Sequence, residues 1–67
     1  MVDKKELEEA IKNSGKKRNY LAEKLNISST SLYNKLNGIT EFTAREMFIL
    51  SDELDLSEQD SKKIFYL

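Results

Sequence analysis

The sequence contains no cysteine, no histidine and no proline, and it has only two glycines among its 67 residues. Without Cys and His, the chain cannot form disulfides, thiolate or imidazole metal sites, or the Ser-His and Cys-His pairs of nucleophilic catalysis. We therefore expect no enzyme, no bound metal or cofactor, and no small-molecule substrate.

Long apolar runs are also missing. No stretch of about 18 apolar residues is available to span a membrane, and the charged start MVDKKELEEA lacks the apolar segment of a secretory signal. A chain this short buries only about 60% of the surface that its unfolded form exposes, so its core should be small. We expect one soluble, cytoplasmic domain over residues 1–67, with no membrane partner.

Charge is unevenly distributed, although the net charge is only −1. Residues 12–38 hold six basic side chains and one acidic side chain, for a local balance of +5. Residues 39–67 hold three basic and seven acidic side chains, for a balance of −4. The net charge alone gives no signal for nucleic-acid binding, but the basic first half leaves it open.

Helix signals dominate, and strand signals are weak throughout. The lack of proline and the many Leu, Lys and Glu residues favour an all-α fold, a compact bundle of five short helices. The first helix has Asp3 as its N-cap, Glu6 as the capping-box partner and Gly15 as its end. The second follows from RNYLAEKLN and ends at Asn26, a residue that tolerates the left-handed conformation. The inward residues of these two helices are Leu7, Ala10, Ile11, Leu21, Ala22 and Leu25.

The segment NISSTSLYNKLNG, residues 26–38, predicts a third helix of unusual composition. Ser28 fits as its N-cap, Leu32 and Leu36 form its buried stripe, and Asn37-Gly38 end it. Seven of the thirteen residues are uncharged and polar, and Ser, Thr and Asn favour caps and turns over helix interiors. We therefore expect these polar residues to be present for a reason other than helix stability.

Two further helices complete the prediction. TARE is a capping box with Thr43 as N-cap and Glu46 at the third helical position, and it opens a helix that runs to about Asp55. Its inward stripe is Met47, Leu50, Ser51 and Leu54. Ser57 caps a last helix that continues toward Leu67.

The segment RNYLAEKLNISSTSLYNKLNG resembles the helix-turn-helix of the Cro/phage-repressor (XRE-type) family. The similarity continues through TEFTAREMFILSDELDLSEQD, which resembles the fourth and fifth helices of that family. Three positions differ: Arg18 stands where Gln is common, Asn26 where Gly is common, and Lys17 where a Thr or Ser cap is usual. The matching positions are Leu21, Ala22, Leu25, the turn 26–28, Ser31, Leu32 and Asn37-Gly38.

The resemblance implies a lambda-repressor-like DNA-binding domain whose helix-turn-helix is formed by helices two and three. The third helix, at about 29–37, would lie in the major groove of double-stranded DNA. The implied function is a small Cro-like transcriptional regulator, a repressor of phage or mobile-element type, that binds its operator as a homodimer. The candidate base-contacting residues are Ser29, Thr30, Tyr33 and Asn34. Ser28 and Ser29 have the alternative role of caps alone, and Tyr33 that of packing over the edge of helix two.

Phosphate contacts are expected around the start of helix two and along helix three. Lys17 and Arg18 lie where free backbone N–H groups and the helix dipole already favour an anion. Lys35 has the alternative of a solvated charge, and Asn37 is also compatible with ending the helix. The candidate phosphate-contacting residues are Lys17, Arg18, Ser28, Lys35 and Asn37.

Apolar residues near the C-terminal end exceed what a small core requires, which indicates a partner surface. The candidate dimer-interface residues are Phe48, Ile49, Phe65, Tyr66 and Leu67; the last three have the alternative of forming a lid on the core. The surplus also supports a second hypothesis, a protein-interaction module such as an antirepressor or regulatory subunit that keeps the fold without binding DNA.

Overall fold

The structure is a computed structural model that describes residues 2–67, and these residues form five α-helices and no strand. The expected all-helical fold of five short helices is confirmed for this part of the chain. No helix within it is long and apolar enough to cross a bilayer. The helices are α1 (Lys4–Ser14), α2 (Arg18–Leu25), α3 (Ser29–Leu36), α4 (Ala44–Glu53) and α5 (Glu58–Phe65).

Four of the five helices begin at the predicted caps. The side chains of Asp3, Ser28, Thr43 and Ser57 each accept a hydrogen bond from the backbone N–H three residues later, at 3.0–3.1 Å. Thr43 and Glu46 form the complete capping box, because the Glu46 carboxylate also accepts from the Thr43 N–H at 2.9 Å. These bonds satisfy backbone donors that would otherwise lack partners.

Only one of the two hydrogen bonds of the capping box predicted for α1 forms. The Asp3 carboxylate accepts from the Glu6 N–H, but the Asp3 N–H donates to the Ile64 carbonyl at 2.7 Å. The Glu6 side chain lies instead 3.7 Å from the Lys63 ammonium. A contact with α5 therefore replaces the local bond that sequence spacing predicted.

Every helix is followed within two residues by a residue with positive φ. Gly15 and Gly38 have φ values of 72° and 74°, while Asn26, Asp55 and Tyr66 adopt φ values of 54–59°. Left-handed residues at these positions let backbone N–H groups bond the last carbonyls of each helix. The predicted ends at Gly15, Asn26 and Asn37-Gly38 are confirmed.

One hydrophobic cluster unites all five helices. α2 packs against α3 and α4, and α5 packs against α1 and α4. Of the predicted inward residues, Ala10, Met47 and Ser51 are only half-buried. The Phe65 ring packs edge-on to Phe42, with ring centroids 5.7 Å apart. The buried members of the cluster are Leu7, Ile11, Leu21, Ala22, Leu25, Leu32, Leu36, Leu50, Leu54, Ile64 and Phe65.

Candidate nucleic-acid interface

The four predicted base-contacting residues lie together on the outer side of α3. Ser29 and Thr30 are exposed, Tyr33 is 61% exposed and Asn34 is half-buried. The opposite side of the helix is held in the core by Leu32 and Leu36. The set Ser29, Thr30, Tyr33 and Asn34, hereafter the α3 face, therefore presents hydroxyl, phenol and amide groups to solvent.

The connection from α2 to α3 is three residues long and internally fixed. Asn26 takes the left-handed conformation, and its backbone N–H caps the end of α2. The Ile27 N–H donates to the Ala22 carbonyl at 3.0 Å, and the Ile27 side chain packs against the core. The buried Ala22 belongs to α2, which packs against α3. The α3 face is thus held on a rigid corner.

Basic side chains lie at the start of α2. Lys17 is exposed at the N-cap position of α2. Its side chain accepts no hydrogen bond from the first N–H groups of the helix. Arg18 Nη2 lies 3.0 Å from the Glu8 carboxylate in an ion pair whose side chains are 53% and 41% exposed. Ion pairs this exposed contribute little to stability, so an arriving anion can displace Glu8.

Ser28 and Asn37 mark the two ends of α3. Ser28 is exposed, and its hydroxyl oxygen accepts from the Ser31 N–H. Asn37 is half-buried, and its amide Nδ2 donates to the Tyr33 carbonyl at 2.9 Å. Both residues therefore serve α3 itself. The exposed Ser28 hydroxyl retains its donor, and a phosphate contact remains a prediction for both.

Lys35 lies inside the protein rather than on the interface. Its side chain is 11% exposed, and its ammonium lies 2.9 Å from the Glu46 carboxylate and 3.0 Å from the Glu41 carbonyl. With its ammonium engaged in this way, Lys35 is not a solvated charge, and its contact with phosphate stays a prediction. Its sequence position beside Leu36 and three residues after Leu32 places it on the buried stripe, a signal that charge alone obscured.

The environment of Glu46 favours its charged form. Burial raises the pKa of this carboxyl, but the Thr43 N–H and the Lys35 ammonium together outweigh burial and hold the pKa below its ordinary value. Glu46 is thus at once the capping-box residue of α4 and the counterion of α3. The pair joins the last turn of α3 to the first turn of α4.

A second cluster, unforeseen from the sequence, joins α2 to the end of α4. The Lys16 ammonium lies 3.0 Å from the Glu53 carboxylate, which also accepts from the Tyr20 hydroxyl at 3.1 Å. Hydrogen bonding to Glu53 raises the pKa of Lys16, and the same bond lowers the pKa of Glu53. The ammonium of the exposed Lys24 also lies over the Tyr20 ring, 5.5 Å from its centroid. The i, i+4 spacing of Tyr20 and Lys24 within α2 was the available signal for their contact, but the sequence gives no signal for the partner Glu53.

The predicted dimer-interface residues separate into two groups. Phe48, Tyr66 and Leu67 are 77%, 60% and 71% exposed. Ile49 is half-buried against the core, and Phe65 is buried within it. Of the two alternatives for the C-terminal residues, the lid on the core applies to Phe65. Ile39, which the sequence did not single out, is also exposed at the end of α3.

Comparison with known proteins adds no identification. No protein-family model, no curated protein and no solved structure matches the chain. Within residues 2–67, no group of three or more acidic side chains is arranged to hold a metal ion. The α3 face and the basic start of α2 are therefore the features on which a functional proposal rests.

Proposed function

We propose that this protein binds double-stranded DNA sequence-specifically and reads the major groove with α3. The observation that carries the proposal is the α3 face, a solvent-exposed set of polar side chains on a helix that a three-residue corner joins to α2. In helix-turn-helix proteins, the second helix of such a pair enters the groove with its N-terminal residues against the bases. The proposal is a binding protein, not an enzyme.

The chemistry of the α3 face suits base edges. Ser29 and Thr30 are short, so the helix backbone can approach closely while each hydroxyl donates or accepts. The Asn34 amide can form two bonds with adenine, and the Tyr33 ring can lie against a thymine methyl. These roles explain why α3 carries residues that are poor helix formers: the helix sacrifices propensity for recognition.

Contacts with the phosphate backbone would come from the start of α2. The Lys17 and Arg18 side chains supply positive charge, and the N-terminal N–H groups of α2 add a favourable dipole. Ser28 and Asn37 extend this set at the two ends of α3. Lys35 is left out of it, because its ammonium is engaged with Glu46.

The biological role that follows is transcriptional regulation by occupancy. A protein bound across a promoter excludes polymerase, so we infer a small repressor, and the resemblance to Cro-like proteins favours a phage or mobile-element setting. A single helix in one groove gives few base contacts, and proteins of this kind reach useful specificity by binding paired half-sites as dimers.

A second candidate is a protein-interaction module that does not bind DNA. It is favoured by the engagement of Arg18 and Lys35, two of the three basic residues predicted to contact phosphate, in ion pairs within the protein. The exposed Phe48 also favours it. Binding to a protein without any binding to DNA at low salt would support this candidate.

The deciding experiment is selection from random double-stranded DNA with the purified protein at two salt concentrations. We expect an enriched palindrome whose half-sites lie about 10 base pairs apart, one helical turn of DNA. Absence of enrichment at low salt would overturn the proposal and favour the interaction module.

Variants then separate base contacts from phosphate contacts. Tyr33→Ala and Asn34→Ala should relax the sequence preference, while Arg18→Ala should weaken binding equally on specific and random DNA and flatten its salt dependence. Glu8→Gln frees Arg18 and should strengthen binding to both DNAs. Glu9→Gln makes the same charge change without contacting Arg18, so a smaller gain there identifies the Arg18 contact.

A further inference from the structure

A groove between α4 and α5 lies outside the α3 face and is assigned no contact with DNA. It has a volume of about 450 Å³ and is open to solvent. Its walls are mainly apolar. The residues that line this α4–α5 groove are Ala44, Met47, Phe48, Ser51, Asp52, Leu56, Glu58, Ser61 and Leu67.

Phe48 is the most exposed large apolar side chain of the described residues, at 77%. Two charged residues of α4 flank it, Arg45 and Asp52, and both are exposed. Neither forms an ion pair or a side-chain hydrogen bond within residues 2–67, and the charge of Asp52 acts at longer range on Lys16, whose pKa it helps to raise. The other α4 carboxylates behave differently, because Glu46 and Glu53 are paired with Lys35 and Lys16.

Helix geometry places these two charges on one side of Phe48. Arg45 precedes Phe48 by three residues and Asp52 follows it by four, so both lie on the same flank of α4, one turn to either side. In two antiparallel helices related by a two-fold axis, a residue one turn before the centre lies beside the residue one turn after it on the other helix. Arg45 and Asp52 are therefore complementary to a second copy of themselves.

We propose that the α4–α5 groove is the self-association surface of this protein. Two copies of α4 pack antiparallel about a two-fold axis close to Phe48, and each Phe48 ring enters the groove of the other copy beside Ala44 and Ser51. Arg45 of each copy pairs with Asp52 of the other. One contact of each kind thus occurs twice, as two-fold symmetry requires.

The charges identify a second copy as the occupant. A basic partner would satisfy Asp52 but would repel Arg45, and an acidic partner would do the reverse. A standard interface takes about 800 Å² from each partner, which is about a sixth of the 4617 Å² accessible surface of this protein. No residue of the α3 face lines the groove, so the two surfaces share no side chain.

The first test measures the molecular mass of the full chain by sedimentation equilibrium without DNA. We expect a dimer, and we expect Phe48→Ser to weaken association by more than about 30-fold, the effect of losing one central aromatic contact, because both copies lose theirs. Tyr33→Ser is the matched control, since it removes an exposed aromatic from α3 and should leave association unchanged. A wild-type monomer at about millimolar concentration would overturn the proposal and leave the groove to a different protein.

Charge reversal tests the arrangement of the two helices. Arg45→Glu alone and Asp52→Arg alone should each weaken association about tenfold or more through like-charge contact, and the double variant should restore it. Both changes agree with the α4 dipole, so circular dichroism should show an intact fold. Failure of the double variant to restore the dimer would overturn the antiparallel pairing. The proposal deepens the dimer of the proposed function, but because no DNA is present, these results are independent of whether α3 binds DNA.

Discussion

At the scale of single residues, the Lys35–Glu46 pair shows how one contact can serve two helices. The two side chains are 11% and 9% exposed, with 2.9 Å between ammonium and carboxylate. Removing either partner leaves a nearly buried charge without its counterion, which costs far more than the pair contributes when intact. The sequence places Lys35 on the buried stripe of α3, but it does not show that Lys35 pairs with Glu46, eleven residues later.

We predict that Lys35→Met lowers the free energy of unfolding by about 3 kcal/mol, a large part of the about 5 kcal/mol available to a domain of this size. Urea denaturation measures the change. Lys62→Met is the matched control: its ion pair with Glu58, at 3.6 Å, is 60% and 86% exposed, so its loss should cost less than about 0.5 kcal/mol. Equal losses in the two variants would contradict this assignment.

The same pair predicts how stability depends on pH. Burial opposes the charged form of Glu46, but the Thr43 N–H and Lys35 lower its pKa overall, so the folded protein binds this proton less readily than the unfolded chain. Its stabilising contribution is therefore complete above the unfolded pKa of about 4.3 and is lost as the pH falls through the lower folded value. Urea midpoints from pH 7 to 3 should fall less steeply for Glu46→Gln than for the wild type. An equally steep fall of the urea midpoint in Glu46→Gln and in the wild type would contradict this link between Glu46 and stability.

At the scale of elements, the helix ends could be predicted better than the contacts between helices. Asp3, Ser28, Thr43 and Ser57 are caps because their short side chains reach a backbone N–H three residues later, a local relation that sequence displays. The prediction that the Glu6 side chain accepts from the Asp3 N–H was wrong, because this N–H donates to the Ile64 carbonyl of α5 instead. Similarly, only the packing of α5 decides that Phe65 is buried while Tyr66 and Leu67 are exposed.

We predict that Gly15→Ala lowers the free energy of unfolding by about 1 kcal/mol, since Gly15 has a φ of +72° at the end of α1. An added Cβ meets no atom within 4 Å, so the cost comes from backbone conformation alone. Gly15→Asn should cost less, because Asn adopts the left-handed region more readily. Thermal unfolding of the three proteins tests the order; equal losses for Ala and Asn would indicate a steric cause instead.

At the scale of the whole molecule, the positive charges lie mainly in the first half of the chain and the negative charges in the second half. The +5 of residues 12–38 and the −4 of residues 39–67 follow directly from the sequence, and so do the polar composition and approximate orientation of α3. The sequence could not show that Arg18 is paired with Glu8 or that Lys35 is buried, because both depend on helices packing across the fold. The candidate site is therefore smaller and less basic than its composition predicted.

This reduced basic set predicts a modest salt dependence for DNA binding. If Lys17 and Arg18 of two copies neutralise four phosphates, a plot of log affinity against log salt on a palindrome should have a slope of about −4. Phe48→Ser, bound as a single copy to a half-site, should give about −2. Lys62→Met removes a charge from α5 and should leave the slope unchanged. Equal slopes for the dimer and the Phe48→Ser protein would contradict this count.

The hydrogen bond between the Asp3 N–H and the Ile64 carbonyl, at 2.7 Å, brings together residues sixty-one positions apart. Closing so long a loop costs more chain entropy than forming the local α2–α3 corner. A circular permutant that joins residues 2 and 67 through a short flexible linker, and opens the chain between α3 and α4, would make this contact local. Contacts between residues near in sequence form faster, so the order in which the five helices assemble can be changed while their final packing is kept.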